Sequence, residues 1–376
     1  MTVAQFEDSH LRRHGQLADS PTAMGLLGWR DVAVRVFNEV MEDRVLLVAA
    51  GATYYMLIAL VPALTLVVSL YGLFSDPADV PRQMSLLTGI LPPGALQIVN
   101  DQLTRLTATG RPTLGLTLVV SLVVALWSAN AGVGSLFDAM NIAYDEAEKR
   151  NFFVRTLVSL AFTLVLAIAG IVFLGIVLVI PVVMQFLYLP GGLGWVVKIV
   201  SYVLMLILLM AGIGALYRWG PSRRVAKWRW VVPGAVFAAI GIAIVSVVFS
   251  WYAANFSNYN ATYGSLGALI GLLTWMWLSN TVVITGAELN SELEHQTARD
   301  TTTGRPKPLG RRGAYMADHV ATVGRGAPAD GKGQPGFGRQ AGDNYWMVAL
   351  GLLALLALAS VQPAHDNQAA LKRARR

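Results

Sequence analysis

Five stretches without a single Asp, Glu, Lys or Arg constrain this chain more than any motif: Val45–Phe74, Thr113–Phe137, Thr156–Val197, Trp230–Trp251 and Ser265–Ala287. A bilayer core of about 30 Å is crossed by roughly 20 apolar residues in a helix. Backbone polar groups cannot be left open in hydrocarbon, so each stretch is predicted to be helical. The third is about twice the length of one span. It is read as two helices that turn at Leu189-Pro190-Gly191-Gly192. The expected fold is all-α, a polytopic transmembrane helix bundle with six core helices within residues 45–296. Trp346–Val361 is a short seventh candidate, about 24 Å long at helical rise. It either crosses a thinned bilayer or lies in the interface or against the bundle.

Positive charge orients the bundle. Lys and Arg in short loops favour the cytoplasmic side. Alternate segments starting with the N-terminal arm carry 21 of them, and the intervening segments carry four: Arg82, Arg105, Arg111 and Lys198. The N-terminus is therefore expected in the cytoplasm of a bacterial inner membrane. The net charge of +7 is explained by this sorting, and no nucleic-acid partner is expected, because the basic residues lack an RNA-binding pattern. Four regions follow. Residues 1–44 form a cytoplasmic arm whose Trp29–Val45 stretch places Val32, Val36, Phe37, Val40 and Met41 on one helical face. That face suits either the membrane surface or a protein surface. Residues 45–296 form the membrane domain. Residues 297–345, rich in Gly, Pro and charge, read as a flexible cytoplasmic linker, and 346–376 hold the short apolar segment and a basic tail.

Catalytic constellations are missing. No cysteine is present, so thiolate metal sites and redox motifs are excluded. The five histidines, at 10, 14, 295, 319 and 365, lie outside the predicted spans, and only His10 and His14 have a metal-compatible spacing. Neither a nucleophile elbow, a His-Glu-x-x-His helix nor a phosphate loop occurs. The chain is expected to have no cofactor and not to be an enzyme.

Polar residues inside the membrane segments are the remaining candidates. Tyr55, Pro62, Thr65 and Ser69 lie near one stripe of the first span, and Pro62 is expected to kink it. The stripe is either a wall of a polar pathway or a packing face. Asn141, Glu288 and Asn290 complete the candidate pathway or gate. Glu288, at the inner end of the last span, is expected to be solvated, ion-paired to a loop arginine such as Arg150 or Arg218, or part of a pathway. The loop cations Arg218, Arg223, Arg224, Lys227 and Arg229 stand among Trp219, Trp228 and Trp230 with no acid nearby in sequence. They are candidate contacts for anionic lipid as well as topology signals. Ser85–Leu106 could form an outer helical pair, and Trp251–Gly264, rich in Asn and Tyr, an outer lid.

The chain resembles the YihY/virulence factor BrkB family of bacterial inner-membrane proteins. The resemblance rests on Ala49-Ala50, Tyr54-Tyr55, Pro62, Trp127-Ser128, Asn141, Tyr144 and Arg150. It is strongest in Leu216-Tyr217, Pro221, Trp228, Pro233-Gly234, Tyr252, Tyr259, Tyr263-Gly264-Ser265, Trp275 and Gly286-Ala287-Glu288-Leu289-Asn290. It covers about residues 30 to 296. It implies six helices with both termini of the bundle cytoplasmic, and no agreed activity. Members were long labelled ribonuclease BN, yet the clustered metal ligands that such an enzyme needs are absent here. The two functions expected are movement of a lipid or other amphipathic envelope substrate, and a scaffold or regulator of envelope assembly. Partners would be membrane lipids and envelope proteins.

Overall fold

The computed structural model describes residues 10–74, 111–186, 193–255 and 266–321. Side chains within 60–74, 111–122 and 173–186, with a few others near helix ends, lie outside that description. Eight helices are used below: α1 (Leu26–Glu42), α2 (Val45–Phe74), α3 (Arg111–Ala143), α4 (Phe152–Phe186), α5 (Leu193–Trp219), α6 (Trp228–Asn255), α7 (Leu266–His295) and α8 (Tyr315–Asp318). Among the described residues there is no β-strand, only one isolated bridge between Ala226 and Thr302.

Helices α2 to α7 are the six core helices, each between 27 and 35 residues long. A helix of that length exceeds the thickness of a bilayer core, about 30 Å. Each of α4 to α7 holds a described apolar run long enough to cross a membrane. The expected turn at Leu189–Gly192 falls between α4 and α5 and lies outside the described residues. Lys198 is a correction: it lies in the second turn of α5 rather than in a loop.

Helix α7 packs against α1, α2, α3, α6 and α8, so it is the hub of the bundle. The core gathers Val45, Ala49 and Ala52 of α2, Phe137 and Met140 of α3, Tyr217 of α5, Ala238 of α6, and Ile284 and Ala287 of α7. All lie toward the end of the bundle that also carries the charged loops. Small residues let backbones approach where no hydrophobic force draws helices together in lipid. The tightest approach is Gly234 against Gly286. A side chain at Gly234 would overlap the Gly286 carbonyl oxygen, and one at Gly286 would meet the Tyr217 hydroxyl. Outward, Leu157, Val165, Ile168, Val200, Ile244 and Val247 are largely exposed. So large an open apolar surface is what a lipid-facing bundle presents.

Polar contacts join spans inside the bundle. Asn280 donates to the Thr53 hydroxyl at 2.9 Å, Tyr217 to the Val283 carbonyl at 2.6 Å, and Ser159 to the Asn130 side-chain oxygen at 2.6 Å. Each contributes about 0.6 kcal/mol, the average for such bonds in lipid.

Helix α1 docks on protein through one face. Val32 is fully buried, and Val36 and Val40 pack beside it and on the core. Phe37, expected on that face, is exposed, as are Leu26 and Val34. The helix thus has a second apolar side. Arg44, with φ of 52°, makes the left-handed corner between α1 and α2.

The expected linker is corrected in its first part. Residues 297–321 fold back onto the charged end: Thr297, Thr301, Thr302 and Arg312 are buried. Trp346–Val361, Ser85–Leu106 and the Phe256–Gly264 part of the outer loop lie outside the described residues.

Candidate functional site

The last two turns of α7 carry Glu288, Asn290, Ser291, Glu292 and Glu294, all at 1% exposure or less. At 100° per residue these groups point around the helix, so Asn290, Glu292 and Glu294 meet different elements. Asn290 reaches α6. Its oxygen accepts the Gly234 N–H at 2.8 Å and its amide donates to the Val231 carbonyl at 2.9 Å. Pro233, the sixth residue of α6, lacks an N–H and disturbs this second turn. The Asn290 side chain stitches it closed.

Glu292 faces α1, where the Arg35 Nε donates to it, and Arg35 also donates to Gln296 at 2.6 Å. Glu294 faces the loop between α5 and α6. Arg223 holds both its oxygens, at 2.7 and 3.0 Å, and the Thr301 hydroxyl donates to it at 2.6 Å. The Arg223 guanidinium also lies 3.9 Å from the centre of the Tyr144 ring. Burial works against the Arg223 charge, but Glu294 and the other groups around it raise its pKa above the ordinary value. Burial likewise pushes the Tyr144 phenol up, while Arg223 pulls it down and Glu294 and Glu288 add to the rise.

The loop after α3 is tied in by Asn141. Its oxygen accepts the Ser222 N–H at 2.7 Å and its amide donates to Glu148 at 3.0 Å. Glu148 is paired with Arg150, which also donates to the Gly220 carbonyl. Burial would raise the Glu148 pKa, yet the bonds from Arg150, from the backbone and from Asn141 hold it at about 2.

Residues 296–321 close this end as a strap. Arg312 donates to the carbonyls of Ala298, Arg299, Lys307 and Ala317. Gln16 bonds Ala321, Thr297 bonds Ala18, and the Tyr315 N–H meets Glu146. Asp300 is held below its usual range: burial opposes this, and bonds from Lys307 and Thr302 overcome it.

The structure re-sorts the expected site. Asn141 and Asn290 are buried stitches between backbone segments. Glu288 is buried, and the cations expected beside it have other contacts: Arg150 with Glu148, and Arg218 with the Ala226 carbonyl and the rings of Trp219 and Trp228. Of the five expected lipid contacts, Arg223 is instead a buried ion-pair partner. Lys227 donates to the Asp300 carbonyl, and Arg224 packs under Gly304 of the strap. Arg229 is exposed. Tyr55 is exposed beside Tyr54 on α2, away from the buried Thr53 face. Pro62, Thr65 and Ser69 sit in α2, but their side chains lie outside the described residues. His14 bonds Asp31 and stacks on His10.

Arg35, Glu146, Glu292, Glu294, Thr301 and Arg312 were not anticipated from sequence. One signal was available: three acids within seven residues at the end of a span need partners on several sides, and the acid-free loop of cations supplies one.

These features define a multi-pass helical membrane protein whose charged end is knit together by buried ion pairs and a returning strap. The chain belongs to the virulence factor BrkB family, whose model matches residues 36–309, which takes in the first part of the strap. It is 32% identical over 260 residues to the ribonuclease-like protein YfkH of Bacillus subtilis, covering 65% of this chain and 88% of that one. It is 22% identical over 277 residues to a UPF0761 membrane protein of Pseudoalteromonas translucida, covering 71% and 87%. Against a UPF0761 membrane protein of Alkalilimnicola ehrlichii it is 30% identical over 305 residues, covering 77% and 64%. No solved structure matches.

Proposed function

We propose that this protein sits in a bacterial inner membrane with its charged end in the cytoplasm, and that its bundle moves a lipid or another amphipathic envelope substrate across the bilayer. One observation carries the reading: Glu288 is a buried acid on a membrane helix, inward of the ion-paired end. Ionisable groups in such places are costly and belong by default to pathways. The polar contact between Asn280 and Thr53 lies further along the same helix. Purified protein in liposomes should move a fluorescent phospholipid between leaflets faster than empty vesicles; no transfer across a broad lipid panel would refute the reading.

A second reading, a non-enzymatic scaffold for envelope assembly, is favoured by the strap. Its many hydrogen bonds make a rigid surface fit to hold a partner. In-cell crosslinking from the exposed strap position Arg305 should then trap one envelope protein whose loss mimics deletion of this chain.

The ribonuclease-like name of YfkH is not carried over. Glu292 and Glu294 are committed to arginines, and no group of three potential metal ligands gathers among the described residues. The proposed role is non-enzymatic, and purified protein should leave a precursor tRNA intact.

A further inference from the structure

An open groove of about 550 Å³ runs between the Pro21–Ala23 turn, α1 and the first turns of α6. Its walls are mainly apolar: Trp29 of α1, Val232 and Phe237 of α6, and Leu289 of α7. Its polar lining is confined to Ser20, Thr22 and Arg229. Ser20 and Thr22 share a hydroxyl contact of 3.0 Å, so two hydroxyls stand together on one wall.

Arg229, in the first turn of α6, differs from three of the neighbouring cations. Arg218, Arg223 and Lys227 are bonded to groups of the protein. Arg229 is exposed and has no ion pair among the described residues. The acid preceding the groove in sequence, Asp19, faces Arg299 at 3.5 Å. The cation therefore lines an apolar groove without an acid to neutralise it.

Place decides the occupant. The groove opens where α6 leaves the charged loop and enters its apolar run, Trp228–Tyr252. Val232 and Phe237 are partly exposed on that run, and Trp29 supplies an aromatic of the kind that favours the headgroup layer. A soluble anion would leave the apolar walls wet, and a neutral hydrocarbon would leave Arg229 uncompensated. A phospholipid with a net negative headgroup satisfies both. The volume lies within the usual range for small-molecule sites, about 300–1,000 Å³.

We infer that this groove is a binding site for one anionic phospholipid of the bilayer. Its phosphate lies against Arg229 and the Ser20 and Thr22 hydroxyls, and an acyl chain lies along Val232 and Phe237. The site is independent of any transport activity.

Native mass spectrometry of the full chain in detergent tests it, with palmitoyl-oleoyl phosphatidylglycerol and palmitoyl-oleoyl phosphatidylcholine as paired probes. Wild type should retain the glycerol lipid preferentially. Arg229→Gln should cut that preference about five-fold, the effect of one interfacial cation. Val232→Trp, which fills the groove, should reduce retention of both lipids. Arg311→Gln, removing an exposed charge of the strap, should change nothing, and glycerol phosphate should not displace the lipid. The inference is overturned if Arg311→Gln matches Arg229→Gln, which would mean diffuse surface charge. It is equally overturned if glycerol phosphate displaces the lipid, if Val232→Trp retains lipid as wild type does, or if wild type shows no preference.

Discussion

Arg223 and Glu294 face each other through two hydrogen bonds of 2.7 and 3.0 Å, with side-chain exposures of 1% and 0%. The pair joins the α5–α6 loop to the end of α7, and Thr301 adds the strap as a third party. Burying two charges costs several kcal/mol per ion, so such a pair holds only when both partners are present. Glu294→Gln should therefore lower stability by about 3–5 kcal/mol, read as a fall in thermal midpoint in detergent. The double variant Arg223→Met with Glu294→Leu should recover much of that loss. If the single variant melts like wild type, the pair is not a structural tie.

Asn290 should act through the backbone it bridges. Asn290→Ala leaves the Gly234 N–H and the Val231 carbonyl without their side-chain partner at about 1–3 kcal/mol. Gly286→Ala should cost a similar amount, about 1–3 kcal/mol, by overpacking against Tyr217. Thermal melts of both variants check this, and Asn290→Asp, which sets an unpaired buried carboxylate against the Val231 carbonyl, should melt below Asn290→Ala.

Glu148 gives a pH signature. Its folded pKa of about 2 lies below its ordinary 4.5. A depressed carboxylate pKa contributes stability that is complete above the ordinary value and is lost as pH falls through the folded value. The stability difference between wild type and Glu148→Gln should therefore be constant above pH 4.5 and shrink toward pH 2. A difference that grows on acidification would contradict the pairing with Arg150.

Orientation can be read by single-cysteine labelling, because the chain has no cysteine of its own. Cysteines at Arg305 and Arg311, both exposed on the strap, should be shielded from an impermeant reagent in intact cells. Cysteines at Ala95 and Asn258 should react. Labelling at Arg305 from outside would invert the proposed topology.

The spans were legible because the lipid phase imposes a simple rule on sequence, long runs without charge. Val45–Phe74 is the same stretch in sequence and in structure. Asn141, Asn290 and the Pro233-Gly234 pair also stood out as positions, although their role as stitches did not. The ion pairs were not legible, since Arg35 and Glu292 are 257 residues apart and Arg223 and Glu294 are 71 apart. Pairing at that distance depends on how helices cross, which local spacing does not encode. The strap was misread for another reason. Its polar, Gly- and Pro-rich composition resembles a linker, but Arg312 and Asp300 order it through hydrogen bonds to backbone, beside the burial of Met316 and Ala317.

Glu288 tests the functional account most directly. Glu288→Gln keeps the shape of the side chain and removes its charge. Protein carrying it should be reconstituted beside wild type and empty vesicles, with lipid transfer and the thermal midpoint measured on the same preparations. The account predicts an unchanged midpoint together with transfer reduced to the level of empty vesicles. Transfer equal to wild type would remove Glu288 from any pathway and contradict the proposed function.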